Sequence, residues 1–104
     1  MTKDFYNLDD IYKLYIIKVE TEPNCTLIVT FSNNEVIKYS LENILKNKLE
    51  VLKNENLFRK VFIDEFGNVA WNIDDSINSN FNWDNRIDIS KETIYINGVK
   101  IRKK

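Results

Sequence analysis

Apolar and polar residues alternate cleanly in Thr26-Leu27-Ile28-Val29-Thr30-Phe31, where Leu27, Val29 and Phe31 share a face and β-branched residues fill the rest. That period of two predicts a strand. Ser32-Asn33-Asn34-Glu35 follows, and because Asn tolerates positive φ it predicts a hairpin turn returning through Val36-Ile37-Lys38-Tyr39. Upstream, residues 8–20 fit two periods: Leu8, Ile11, Tyr12 and Tyr15 at helical spacing, Tyr15, Ile17 and Val19 at strand spacing. Together they predict a short helical start from about Asn7, a strand near Tyr15–Glu20, and a turn at Glu22-Pro23-Asn24, where Pro23 fixes its own φ.

After Tyr39 the period changes. Ser40 is a natural N-cap, and Leu41, Ile44, Leu45, Leu49 and Leu52 form one apolar stripe. This predicts one principal helix over Leu41–Lys53, about three turns long. Val61-Phe62-Ile63 and Val69-Ala70-Trp71 read as strands around a turn at Glu65-Phe66-Gly67-Asn68. Ile87-Asp88-Ile89 is short and extended, and Ser90 can cap a single helical turn through Thr93. In Ile94–Ile101 the pair Asn97-Gly98 stands between alternating apolar residues, which predicts a C-terminal hairpin. The sum is an α+β domain with a mainly antiparallel sheet of about six short strands and one principal helix packed on it.

The totals fit a single domain spanning residues 1–104, with a modest core. The composition is globular, and a net charge of −1 gives no electrostatic bias toward nucleic acid or an anionic membrane. Lys100-Ile101-Arg102-Lys103-Lys104 is basic but reads as a solvated tail, since a phosphate footprint needs a patch or stripe. No apolar run suits a signal peptide or a membrane span, and the lone Cys25 fits a reducing compartment, so the expected location is cytoplasmic.

Candidate chemistry is sparse. The chain has no histidine, which removes Ser-His and Cys-His pairs and His metal clusters. Cys25 has no second cysteine and reads as a packing residue. Gly67 and Gly98 stand alone, so no phosphate-cradling loop is present. The acidic candidates are Asp64, Glu65, Asp74, Asp75, Asp84 and Asp88. Asp75, Asn78, Asn80, Asn82 and Asp84 could offer oxygens to calcium, but the EF-hand register fails, with Asn80 where Gly is required and Arg86 where Glu is required. Asp74 and Asp75 are adjacent without an accompanying nucleophile. Trp71 reads as core. Phe81 and Trp83 lie in a polar loop and either pin it or present a contact surface; if exposed, Phe81, Trp83, Asp84 and Arg86 form a candidate interaction surface.

One series of short motifs has a counterpart elsewhere: Leu27-x-Val29-x-Phe31 and its Asn turn, a helix, Leu57-Phe58-x-x-Val61, a turn with Gly67, Val69-x-Trp71, Ile87-Asp88-Ile89-Ser90 and a closing Tyr95. From about Tyr15 to Tyr95 the chain resembles the small bacterial family catalogued as domain of unknown function 2442. The resemblance implies a compact α+β domain, standing alone or joined to a helix-turn-helix DNA-binding domain, with some members encoded beside small partner proteins in arrangements like toxin–antitoxin pairs. It implies no catalytic residues. The chain departs from the pattern in two places. Asn72 to Asn85 intervene where many members run almost directly on, and a predicted hairpin follows the shared segment in place of a DNA-binding domain. A regulatory role that depends on such a domain is therefore not carried over.

The expectation is a non-enzymatic accessory or protein-interaction module without cofactor or metal, binding a protein partner or itself, with no nucleic acid and no membrane. The alternative is a small-ligand or divalent-ion module using the Asp/Asn-rich loop 72–86.

Overall fold

The computed structural model describes residues 8–74, 76–77 and 82–101. A short helix α1 (Leu8–Lys13) leads into a meander of β1 (Ile16–Glu22), β2 (Thr26–Phe31) and β3 (Val36–Ser40). Then come α2 (Glu55–Phe58), β4 (Phe62–Ile63), β5 (Val69–Asn72), β6 (Arg86–Ile89), α3 (Lys91–Asn97) and β7 (Val99–Ile101). The strands form two antiparallel sheets, a four-stranded one in the order β1-β2-β3-β7 and a three-stranded one in the order β4-β5-β6. The α+β class and antiparallel pairing are as the sequence predicts. No helix among the described residues is long and apolar enough to cross a membrane.

The core lies between the sheets and α3. Leu27, Val29, Phe31 and Ile37 enter it from the larger sheet, Val69, Trp71, Ile87 and Ile89 from the smaller, and Ile94 and Tyr95 from the helix. Turn chemistry fixes the hairpins. Asn24 and Cys25 take φ of 67° and 53° between β1 and β2, and Asn34 takes 69° between β2 and β3. Gly67, at φ 81°, closes the β4–β5 turn, where Asp64 Oδ1 accepts from the amides of Phe66 and Asn68 at 2.9 and 3.0 Å.

Two predicted elements are different. Leu41–Lys53 is not one α-helix but two 3-10 segments, Glu42–Ile44 and Asn47–Lys53, broken where Lys46 is extended and Asn47 takes φ 56°. The cause is visible at Cys25. Its carbonyl accepts from the Leu41 amide at 2.9 Å, and its thiol donates to the Leu52 carbonyl at 3.5 Å. A straight helix would hold Leu41 and Leu52 about 16 Å apart along its axis, whereas here the segment curls so that both reach Cys25 and both side chains are fully buried. The chain then enters α2 through Asn54, whose side chain caps the amides of Asn56 and Leu57.

The predicted C-terminal hairpin is also absent. Ser90 caps a helix as expected, accepting from the Thr93 amide at 3.1 Å, but the helix runs to Asn97 and only Val99–Ile101 is a strand, paired with β3. Gly98 has φ −79°, outside the left-handed region. Its value is space: a Cβ there would stand 2.3 Å from Ile37 Cγ2 and 2.7 Å from the Ile94 carbonyl. The glycine lets α3 end directly against β3 and hand the chain to β7.

Candidate functional site

The loop between β5 and β6 is held by Asn85, a residue with no prominence in the sequence. Its buried side chain accepts from the Asp74 amide at 2.8 Å and donates to the carbonyls of Asp74 and Ile77 at 3.0 and 2.8 Å. Asn85 also receives the Ile73 amide on its own carbonyl, so one residue staples both ends of the loop. Asp74 is exposed, and its carboxylate accepts from the amide and hydroxyl of Ser76 at 3.0 and 2.7 Å. Those bonds hold its pKa below the ordinary carboxylate value.

Of the predicted interaction surface, the structure describes the side chains of Asp84 and Arg86. Asp84 is exposed. Arg86 turns inward: its side chain is 4% exposed, its Nη1 meets Glu65 Oε1 at 2.9 Å, and its guanidinium lies 5.8 Å from the Phe62 ring centre. The reason is register. Arg86 lies opposite Asn72 on the face of the smaller sheet that also carries Phe62, Ala70 and Asp88. Phe81 lies outside the described residues, as do Asp75, Asn78 and Asn80, and of Trp83 only the backbone is described, opening a 3-10 turn to Asn85.

Beneath Arg86, Asp64 Oδ2 is buried 4.0 Å from Nη1 and, among the described residues, has no hydrogen-bond partner. The neighbouring Glu65 is held below the ordinary carboxylate range by its own backbone amide and by the Arg86 guanidinium. A buried guanidinium placed between carboxylates in this way is a structural neutralisation of the sheet's polar face.

A second polar cluster sits at the turn of the larger sheet. Glu35 accepts hydrogen bonds from the Tyr95 hydroxyl and from Asn33 Nδ2, and pairs with Lys100 at 3.0 Å. Burial alone would raise the Glu35 pKa, but the bonds from Tyr95, Lys100 and Asn33 and the lysine charge leave it below its ordinary value. Burial and the Glu35 hydrogen bond raise the Tyr95 pKa, and Lys100 Nζ stands 5.5 Å from its ring centre. The cluster ties the β2–β3 turn to α3 and β7.

A cavity of about 400 Å³ is an open groove between the β1–β2 turn and α2, lined by Pro23, Cys25, Lys53, Phe58 and Arg59 among others. Cys25 has its thiol pKa raised, chiefly by burial and then by Glu42 and Glu55, the opposite of an activated thiolate. The charged side chains at the rim are already paired, Arg59 with Glu55 at 3.0 Å and Lys53 with Glu50 at 3.7 Å.

What remains open is the border of the larger sheet. All three residues of β7 are exposed, Val99 to 65%. On β1, at the other border, Ile17 is 51% exposed. The sequence points to aromatic-bearing loops and unpaired strand edges as contact surfaces without singling out these two strands, although Val99 and Ile101 alternate around Lys100. Searches against protein-family models, curated proteins and solved structures return no match for this chain.

Proposed function

We propose that this chain is a non-enzymatic interaction domain that takes a protein partner on the outer edge of its four-stranded sheet. The observation that carries the reading is β7: a border strand with every residue exposed, two of them apolar, and no strand on its far side among the described residues. Such an edge offers main-chain donors and acceptors to an extended segment, with Val99 and Ile101 as side-chain contacts. The polar clusters support the same reading from the other direction. Those at Glu35, Asp64–Arg86 and Asp74–Asn85 are committed to holding turns and loops. The resemblance to a family with members encoded beside small partner proteins suggests the class of partner, a small protein from a toxin–antitoxin-like or regulatory gene pair. The lone thiol suggests the cytoplasm.

The test is recovery of tagged protein from its native cell under mild conditions, alongside a Val99→Lys, Ile101→Lys variant. The expected result is a stoichiometric companion protein with the native chain and its loss with the variant. A clean monomer in both preparations overturns the reading. The ion-binding alternative has less to draw on: the carboxylate of Asp74 and the amide of Asn85 are engaged within the loop, and no group of metal-ligating side chains gathers among the described residues.

A further inference from the structure

The other border strand, β1, runs seven residues, and from Lys18 to Glu22 it pairs with β2 in unbroken register. Its outer side has no ladder partner among the described residues; β4 approaches it without pairing. Val19 and Thr21 lie opposite Val29 and Leu27, toward the core, so Lys18 and Glu20 share the opposite, outward face. There they form an exposed pair at 3.5 Å, with side chains 62% and 55% exposed. A bulge between Ile16 and Lys18 ends the regular ladder and leaves Ile17 half open.

Charge along this strand is self-complementary. A two-fold axis through Val19 sets Lys18 opposite Glu20 of a second copy, Glu20 opposite its Lys18, Ile17 opposite Thr21, and Val19 opposite itself. Side chains directly opposite in an antiparallel pair stand ~5 Å apart at Cβ, within reach of a lysine–glutamate contact. Moving the axis to Lys18 sets Lys18 against Lys18, and moving it to Glu20 sets Glu20 against Glu20 with Lys18 opposite Glu22, which already pairs with Lys38 at 3.5 Å; among these three registers the one about Val19 brings opposite charges together with no like charges opposed. Charged residues on a border strand ordinarily deter pairing; arranged as a lysine and a glutamate about a central valine, they select one register of pairing with an identical strand.

We infer that β1 is a homodimerisation edge, on which a second copy of this chain adds its own β1 antiparallel about Val19 to join the two four-stranded sheets. The surface is distinct from β7, so the dimer leaves the proposed partner edge free.

Sedimentation of the full chain across a concentration series at low salt tests the inference. The native protein is expected to show a monomer–dimer equilibrium. Lys18→Glu and Glu20→Lys, at exposed positions that leave the fold intact by circular dichroism, are each expected to weaken dimerisation at least ~tenfold, through like charges at both symmetric contacts. An equimolar mixture of the two variants restores opposite charge at every contact and is expected to recover the dimer as a mixed pair. A native monomer at all concentrations, a dimer indifferent to both substitutions, or a mixture that stays monomeric overturns the inference. A native monomer that still retains a companion through Val99 and Ile101 overturns the self-pairing alone.

Discussion

The two sheets are held by different physics. In the four-stranded sheet the strands are five to seven residues long in the meander, and alternation does the work: Leu27, Val29, Phe31 and Ile37 face one way and are almost completely buried. In the three-stranded sheet the strands have two to four residues, too few for alternation to hold a register unaided. Particular polar bonds take over. The Trp71 indole donates to the Phe58 carbonyl at 2.9 Å while its ring stacks on Phe58, Asp64 caps the turn, Asn85 staples the loop, and Arg86 neutralises the polar face. A long strand spreads its stability over many apolar contacts; a short one concentrates it in a few residues, each costly to lose.

The contrast is sharpest at Trp71. Trp71→Ala is expected to destabilise the fold by about 3–5 kcal/mol, through the cavity and the orphaned Phe58 carbonyl together, read as a shift in the urea midpoint. Arg86→Ala comes next, at about 3 kcal/mol, because it leaves the buried Asp64 carboxylate without its counter-charge. By the same assay Lys18→Ala on the larger sheet, an exposed ion-pair partner of Glu20, is expected to change stability by less than about 0.5 kcal/mol. Equal effects at the two sites would erase the distinction between the sheets.

Gly98→Ala probes where the larger sheet ceases to depend on alternation. The added methyl meets Ile37 and the Ile94 carbonyl, so a loss of about 1–3 kcal/mol is expected, with faster amide exchange in β7 than in β2. The smallest effect is the pH dependence of the Glu35 cluster. Its pKa is lowered on folding, so its contribution is present above the ordinary carboxylate range and is lost as pH falls through the lowered value. Tyr95 has the opposite shift, so its contribution declines as pH rises past the ordinary phenol range. Glu35→Gln is expected to flatten the acid limb of a stability profile measured by urea unfolding, and a slope unchanged by the substitution would place the acid sensitivity elsewhere.

Legibility followed the same division. Thr26–Phe31 was readable to the residue because a period of two over six positions has one burial solution. The turns at Pro23–Asn24, Asn34 and Gly67 were readable because the residue types announce their backbone angles. Ser90 was readable as a cap, but the helix length was not, since Ile94-Tyr95-Ile96 is apolar enough for either strand or helix. On the site, the inward turn of Arg86 and the staple by Asn85 left no local trace, because each depends on groups distant in the chain: Glu65 for the first, Asp74 and Ile77 for the second.

Local residue chemistry by itself determined the α+β class, the antiparallel meander and the turns at Pro23–Asn24, Asn34 and Gly67, while the positive φ of Cys25 and Asn47 had no such signal. Tertiary structure decided the rest. It curled Leu41–Lys53 around Cys25, because burying Leu41 and Leu52 at one place is incompatible with a straight helix. It turned Asn97-Gly98 from a hairpin signal into a close packing joint against Ile37. It also set which strands lie at the border of the sheet. Among the described residues that choice leaves β1 and β7 without an outer strand partner, and it depends on strand order, a property of the assembled fold that no local pattern encodes.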